Sequence, residues 1–231
     1  MDATDPRIAA GLQAQAGLRR QALDDGAQRL GWKAGFGTRA AKEGFGISGP
    51  IVGFITDRNL LADGAECSLD GWTKPHMEPE VAVRLGRDVA PGATREEALD
   101  AVEAVAPAIE LIDLTFAPTD LEAVLSGNVF HRHVVLGAFT PVGGDIALGG
   151  VRLDVEGPGE TSERAVDPSG NLGDLAEVVR HLAGLLPAAD DALRAGDVVI
   201  TGSVIAAVPV AAGDHTTVSA PGMGSVSLTL T

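Results

Sequence analysis

The chain is short of cations, cysteine and long apolar runs, and each shortage argues against a class of function. Lys and Arg number 17 against 32 Asp and Glu, a formal net charge of −15. Such a surface repels phosphate backbones and anionic lipid, which argues against nucleic acid and membranes as partners. An anionic substrate would need local cations or a bound metal to overcome that field. The acidity also fits a general richness in Ala, Gly, Asp and Arg that carries no functional meaning. The lone cysteine, Cys67, cannot form an intrachain disulfide, and cysteine usage gives no sign of a zinc cluster. It reads as a small, partly buried side chain rather than a catalytic thiol. No apolar run is long enough to span a bilayer. The stretch from Met1 to Pro6 lacks the basic start and apolar segment of a signal peptide, so a cytoplasmic location is the expectation.

What remains is an ordinary globular composition, 45% hydrophobic over 231 residues, enough for one large domain with a sizeable core. A helical segment is expected over residues 1–31 and a single domain over 32–231. Ile8, Leu12, Ala16, Leu23 and Leu30 recur at helical spacing, with Asp5 as N-cap and Pro6 at the first helical position, which predicts a helix from Pro6 to Leu30. A glycine-rich tract follows, with one helical turn expected at Arg39–Glu43 and a strand at Ile51–Ile55. Its spacing matches neither a phosphate loop nor a dinucleotide fingerprint. The alternation from Glu78 to Leu85 predicts a strand, placed by Pro79 at an edge or a bulge. Thr94 and Glu97 form a capping box for a helix to Val105. Strands are predicted at Ala108–Leu114, Val134–Phe139, Val151–Val155, Val198–Thr201, Thr216–Ala220 and Ser225–Leu230, with helices at Asp120–Ser126 and Asn171–Leu186. This order argues for α+β with a curled sheet.

The carboxylates carry the chemistry. Glu78 and Glu80 stand two apart on a strand, so both side chains share one face. Two ionised carboxylates that close destabilise each other unless a cation neutralises them, and a hard divalent cation is the simplest partner. Glu110 lies among apolar neighbours, where an unpaired carboxylate is expensive to bury. Glu78, Glu80 and Glu110 around one cation would make a reasonable metal site. Residue types alone leave two other readings open, a solvated face for the pair and an ion pair for Glu110.

Taken in order, several segments resemble the fumarylacetoacetate hydrolase superfamily, in its 2-hydroxypenta-2,4-dienoate (2-keto-4-pentenoate) hydratase and 4-oxalocrotonate decarboxylase branch. They are Gly31-Trp32-Lys33-Ala34-Gly35-Phe36-Gly37, Gly49-Pro50-Ile51-Val52-Gly53, Met77-Glu78-Pro79-Glu80-Val81-Ala82, Pro107 to Asp113, Gly127-Asn128, and Gly196 to Ser203. The resemblance implies a mixed β-sandwich roll and a lyase acting on small 2-oxo or 2-hydroxydienoic acids through a metal-stabilised enolate. It implies Mg2+ or Mn2+ on Glu78, Glu80 and Glu110, and Lys33 as a proton carrier whose pKa burial or the metal would lower. Thr201, Gly202 and Ser203 are candidate donors to the substrate carboxylate, or a plain strand-to-turn transition. A homo-oligomer is implied, as is a possible complex with a homologous subunit. A carbon–carbon bond hydrolase with Arg39–Gly46 as lid, and a non-catalytic partner subunit, are the other readings.

Two positions depart from the hydratase pattern. Ile51 stands where those enzymes carry aspartate, and Phe130 where they carry serine. Both losses count against strict hydratase activity, and the apolar Ile51 is closer to the decarboxylases. His131, Arg132 and His133 are candidate replacements, with His131 and His133 expected on one face and His131 as an acid or base. An interface or surface role for them is the other reading. Asp113 and His76 are candidate supports.

Overall fold

The computed structural model describes residues 4–143, 147–158 and 161–231. Helix α1 (Pro6–Asp24) is followed by β1 (Arg29–Gly35), α2 (Arg39–Phe45), β2 (Ile51–Thr56), β3 (Leu60–Leu61) and β4 (Ala65–Cys67). Next come β5 (Pro75–Leu85), α3 (Arg95–Ala101), β6 (Val102–Asp113), α4 (Leu121–Ser126), β7 (His131–Leu136), β8 (Thr140–Pro141), β9 (Leu153–Glu156) and β10 (Ser162–Val166). The chain ends with α5 (Pro168–Leu172), α6 (Leu175–Leu185), β11 (Val198–Ser203), β12 (Val208–Pro209), β13 (His215–Ala220) and β14 (Gly224–Leu230).

The larger sheet runs β2-β1-β11-β5-β6-β7-β3, with β12 and β8 added at β5 and β6; the smaller runs β10-β9-β13-β14-β4. This is the α+β roll expected. One face of the larger sheet, with Trp32, Val52, Val81, Val83, Val105 and Ile109, joins the main core that also takes in α1, α4, α6 and the smaller sheet. The other face turns inward. Ile55 of β2 and Val134 of β7 share one buried cluster with Ala82, Ala106, Ala108, Val198 and Ile200, although four strands separate β2 from β7 in the sheet. A flat sheet would hold them far apart, at ~4.8 Å per strand. The sheet therefore closes on itself, and the three alanines leave room for it to do so.

Helix α1 starts as predicted, with the Asp5 side chain accepting from Arg7 N and Pro6 in the first turn, but ends at Asp24. Leu30 belongs instead to β1, paired with β2. Buried Gln15 donates to Val52 O at 3.0 Å and Leu125 O at 2.9 Å, tying α1 to the sheet and α4. The capping box at Thr94 and Glu97 is present, yet α3 stops at Ala101. From Val102 the chain pairs with β5 along its length, and Pro107 would in any case bar a continuing helix. The helix expected over Asn171–Leu186 is split at Gly173, whose φ of 78° and ψ of −154° no helix tolerates.

Pro79 is not at an edge, because β5 lies between β11 and β6. The irregularity it signals sits in the neighbour. The register of β11 slips between Ile200 and Ser203, and the Pro79 carbonyl accepts from Val204 N at 2.9 Å. Among the described residues no helix is long and apolar enough to cross a membrane.

If the inner face is a closed interior, Ala108→Leu overpacks it. The expected cost is about 1–3 kcal/mol, read as a lower urea midpoint for the metal-free protein. An unchanged midpoint would mean that the roll is open there.

Candidate metal centre

Five strands, β1, β5, β6, β7 and β11, bring functional side chains to one site. Glu78 on β5 stands opposite Glu110 on β6, and Glu80 two residues on shares their face. Each of the three offers an oxygen within 4.8 Å of the others. Glu80 and Glu110 are fully buried, as is Lys33 on β1. Lys33 lies three strand steps from β6, yet its Nζ is 2.6 Å from Glu110 Oε1. Only the curl of the sheet brings them together.

The lysine is positioned from several sides. Its stem crosses Gly53, where an added Cβ would sit 2.8 Å from Lys33 Cγ and 2.9 Å from Asn128 Oδ1. Asn128 pairs with the Phe54 backbone like a strand, accepting from Phe54 N at 2.8 Å and donating to Phe54 O at 3.0 Å. That anchor holds a turn in which Asn128, Val129 and Phe130 all have positive φ, 56°, 54° and 61°. Left-handed backbone costs a valine or phenylalanine on the order of 1–3 kcal/mol each. The strained turn presents Val129 O to Lys33 Nζ at 3.3 Å and places Phe130 on the cavity wall.

Glu110 Oε1 also accepts from His131 Nδ1 at 2.6 Å. His131 thus joins the cluster. His133 does not, which corrects the expectation of a shared face. The register slips between Leu111 and Ile112, so His131 stands opposite Ile112 and His133 opposite Leu111, on opposite sides of the sheet. His133 stacks on Trp72 with ring centroids 6.0 Å apart.

The candidate donors divide. Thr201 gives its hydroxyl to Val81 O at 2.9 Å and does not line the cavity. Gly202 N donates to Glu80 Oε2 at 2.7 Å, so it holds a carboxylate of the protein. The bulge and a φ of +104° at Gly202 make that contact. Ser203 lines the cavity, its Oγ buried without a partner.

Charge decides what the cluster can hold. Burial and the neighbouring carboxylates Glu110 and Glu78 push Glu80 well above the carboxylate range. Burial drives Glu78 up to about 7 despite Lys33. Burial would also raise Glu110, but Lys33 and His131 outweigh it and hold its pKa low. Burial alone would lower Lys33; Glu110, Glu78 and Glu80 reverse this, and the net direction is upward. The expected lowering is therefore absent in this arrangement. Burial lowers His131. Three carboxylates facing one ammonium leave two negative charges uncompensated, the charge of one divalent cation. Glu80 Oε1 and Glu110 Oε2 are buried without any hydrogen-bond partner. Orphaned carboxylate oxygens of this kind fit a hard cation.

The adjoining cavity, of about 260 Å³, is walled by Phe36, Thr38, Ile112, Phe130, Leu172 and Ile205 among others. A larger groove of about 680 Å³ beside Arg95, Leu99 and Asp174 lies away from the glutamates. Ile51 is buried in the main core. Asp113 accepts from the Thr73 and Lys74 backbone and pairs with Arg132, and His76 contacts Lys74 O, so both fasten the loop before β5. Cys67 sits in β4, its thiol pushed up by burial. Sequence reasoning missed the Val129 carbonyl and the Phe36, Leu172 and Ile205 walls, which no local signal marks.

A curled sheet whose inner face gathers three carboxylates and a lysine defines a divalent-cation protein of the β-roll type. Residues 32–231 match the family model described as fumarylacetoacetate (FAA) hydrolase C-terminal, and the chain belongs to that family. It is 32% identical over 235 residues to a 4-oxalocrotonate decarboxylase from a Pseudomonas species, covering 100% of this chain and 89% of the relative. It is also 32% identical over 213 residues to a 2-hydroxyhexa-2,4-dienoate hydratase from Comamonas testosteroni, covering 89% and 80%. Its fold matches 4-oxalocrotonate decarboxylase from Pseudomonas putida G7 complexed with magnesium and adipate, with TM-score 0.89 and 28% identity over 97% of this chain and 86% of that one.

Because the Glu78 carboxyl is pushed up to about 7, a proton competes with the cation below that pH. Mn2+ affinity measured by calorimetry should rise from about pH 6 to about pH 8, with proton release. Glu80→Gln should abolish binding. A pH-independent affinity would contradict the assignment.

Proposed function

We propose that this chain is a Mg2+- or Mn2+-dependent lyase that hydrates a small 2-hydroxydienoic acid through its 2-oxo form, in the manner of a 2-keto-4-pentenoate hydratase. One observation carries the reading: the orphaned oxygens of Glu80 and Glu110 beside a cavity that ends on Lys33. The named hydratase relative supports it. A second reading, decarboxylation of the 4-oxalocrotonate type, is favoured by the match over 100% of this chain to that decarboxylase and by the apolar residues Ile51 and Phe130.

Glu78, Glu80 and Glu110 would hold the cation, whose chemistry is Lewis-acid polarisation of a chelated 2-oxo acid. The remaining steps belong to the chain. Gly202 N fixes the Glu80 carboxylate from behind, and Lys33 and His131 fix that of Glu110. Ser203 Oγ is free to donate to the substrate carboxylate. Lys33 starts as an ammonium, held so by the three glutamates. Further positive charge beside it would bring its pKa down, poising it to give a proton to the substrate carbon chain and recover it. Within this proposal the roll over 32–231 is the catalytic domain behind a helical segment over 1–31, and the resemblance extends the reading to a homo-oligomer.

The test is turnover of 2-hydroxypenta-2,4-dienoate and 4-oxalocrotonate with and without Mg2+ or Mn2+, with products identified by mass spectrometry. Gain of water supports the first reading and loss of carbon dioxide the second. Lys33→Met should lower kcat ~10²–10⁴-fold without weakening Mn2+ binding, since it removes a competing cation. Full activity in that variant would remove Lys33 from the mechanism.

A further inference from the structure

Building on the proposed reading of the site, we infer that the substrate's tail, beyond its 2-oxo acid head, is apolar and uncharged, so that the enzyme discriminates against acids bearing a second carboxylate. The cavity has two unlike ends. Of its lining residues only Lys33 and Glu78 carry charge, and both stand at the carboxylate end. Lys33 is already matched to Glu110 at 2.6 Å. Away from them the wall is Phe36, Phe130, Ile112, Leu172 and Ile205.

The aromatic part of this wall is built at a conformational cost. Phe36 and Phe130 both have positive φ, 56° and 61°, a region that bulky side chains rarely adopt. Their rings lie 6.5 Å apart, and Phe130 also packs 4.8 Å from Phe116, Phe36 5.3 Å from Phe45. None of the nearby cations Arg39, Lys42 and Arg132 is among the described lining residues. Arg39 is almost wholly exposed and paired with Glu43, and Arg132 is held by Asp113 and lies over the Trp72 ring. Among the described residues that line this end, the polar groups are Thr38, whose hydroxyl accepts from Ala41 N, and Asn171, which donates to the Ser203 carbonyl; neither carries charge. A carboxylate entering here would lose its hydration with no counter-charge to replace it. An alkyl or alkenyl tail would instead bury apolar surface. The inference favours hydration over decarboxylation, because 4-oxalocrotonate carries two carboxylates.

Saturated acids of equal length test it by binding alone. With Mg2+ present, calorimetry on the full chain should show 2-oxohexanoate binding at least ~10-fold more tightly than 2-oxoadipate, whose second carboxylate would be left unpaired. Ile205→Arg, which places a cation in the wall, should reverse that order. Equal or tighter binding of 2-oxoadipate by the unaltered protein would overturn the inference while leaving the 2-oxo acid reading intact. So would an Ile205→Arg variant that leaves the preference unmoved. If neither acid binds with Mg2+ present, the functional reading fails and this inference fails with it.

Discussion

Three carboxylates facing one another at the base of a cavity, with a single buried lysine against one of them, are the constraint around which this molecule is arranged. Left alone they would repel strongly enough to stay partly protonated, which is the direction in which burial and mutual charge move Glu78 and Glu80. Lysine touches only one of them, Glu110, aided by the His131 contact, and its pull on Glu78 and Glu80 does not offset their burial. The remaining imbalance matches a divalent cation in sign and size. An ion there would also give partners to the two oxygens of Glu80 and Glu110 that the protein leaves without any.

The fold serves that constraint by curling. Lys33 and Glu110 could not meet across a flat sheet, and small residues such as Ala82, Ala106 and Ala108 on the inner face allow the closure. The main core on the outer face, with α1, α4 and α6, supplies the stability that a cluster of buried charge does not. Precision comes from local devices. Gly53 admits the lysine stem, the bulge of β11 turns Gly202 N onto Glu80, and the Asn128 side chain pins a left-handed turn that delivers a carbonyl to Lys33. Strain at the site is thus offset by packing elsewhere.

The carboxylate cluster was legible in the sequence because its signals are local, and the structure brings Glu78, Glu80 and Glu110 within 4.8 Å of one another. A two-residue spacing on a strand and a lone carboxylate in an apolar strand each mark themselves. So did the start of α1 at Asp5 and Pro6 and the capping box at Thr94. What escaped depends on distant contacts. Val102 to Val105 read as the end of a helix, but pairing with β5 prevails over local preference. Nothing in Val129 or Phe130 announces a left-handed backbone, and nothing in the spacing of His131 and His133 announces the register slip that sends them to opposite faces. Thr201 fitted both a substrate donor and a plain strand-to-turn residue, and its hydroxyl lies on Val81 O.

The central claim is that Glu78, Glu80 and Glu110 together hold one divalent cation. Anomalous diffraction from crystals soaked in Mn2+ tests it directly. A single manganese peak ligated by all three carboxylates, with Lys33 still on Glu110, is the predicted result. Manganese bound elsewhere, or bound by fewer than two of the three while the cluster keeps its protons, would contradict the account.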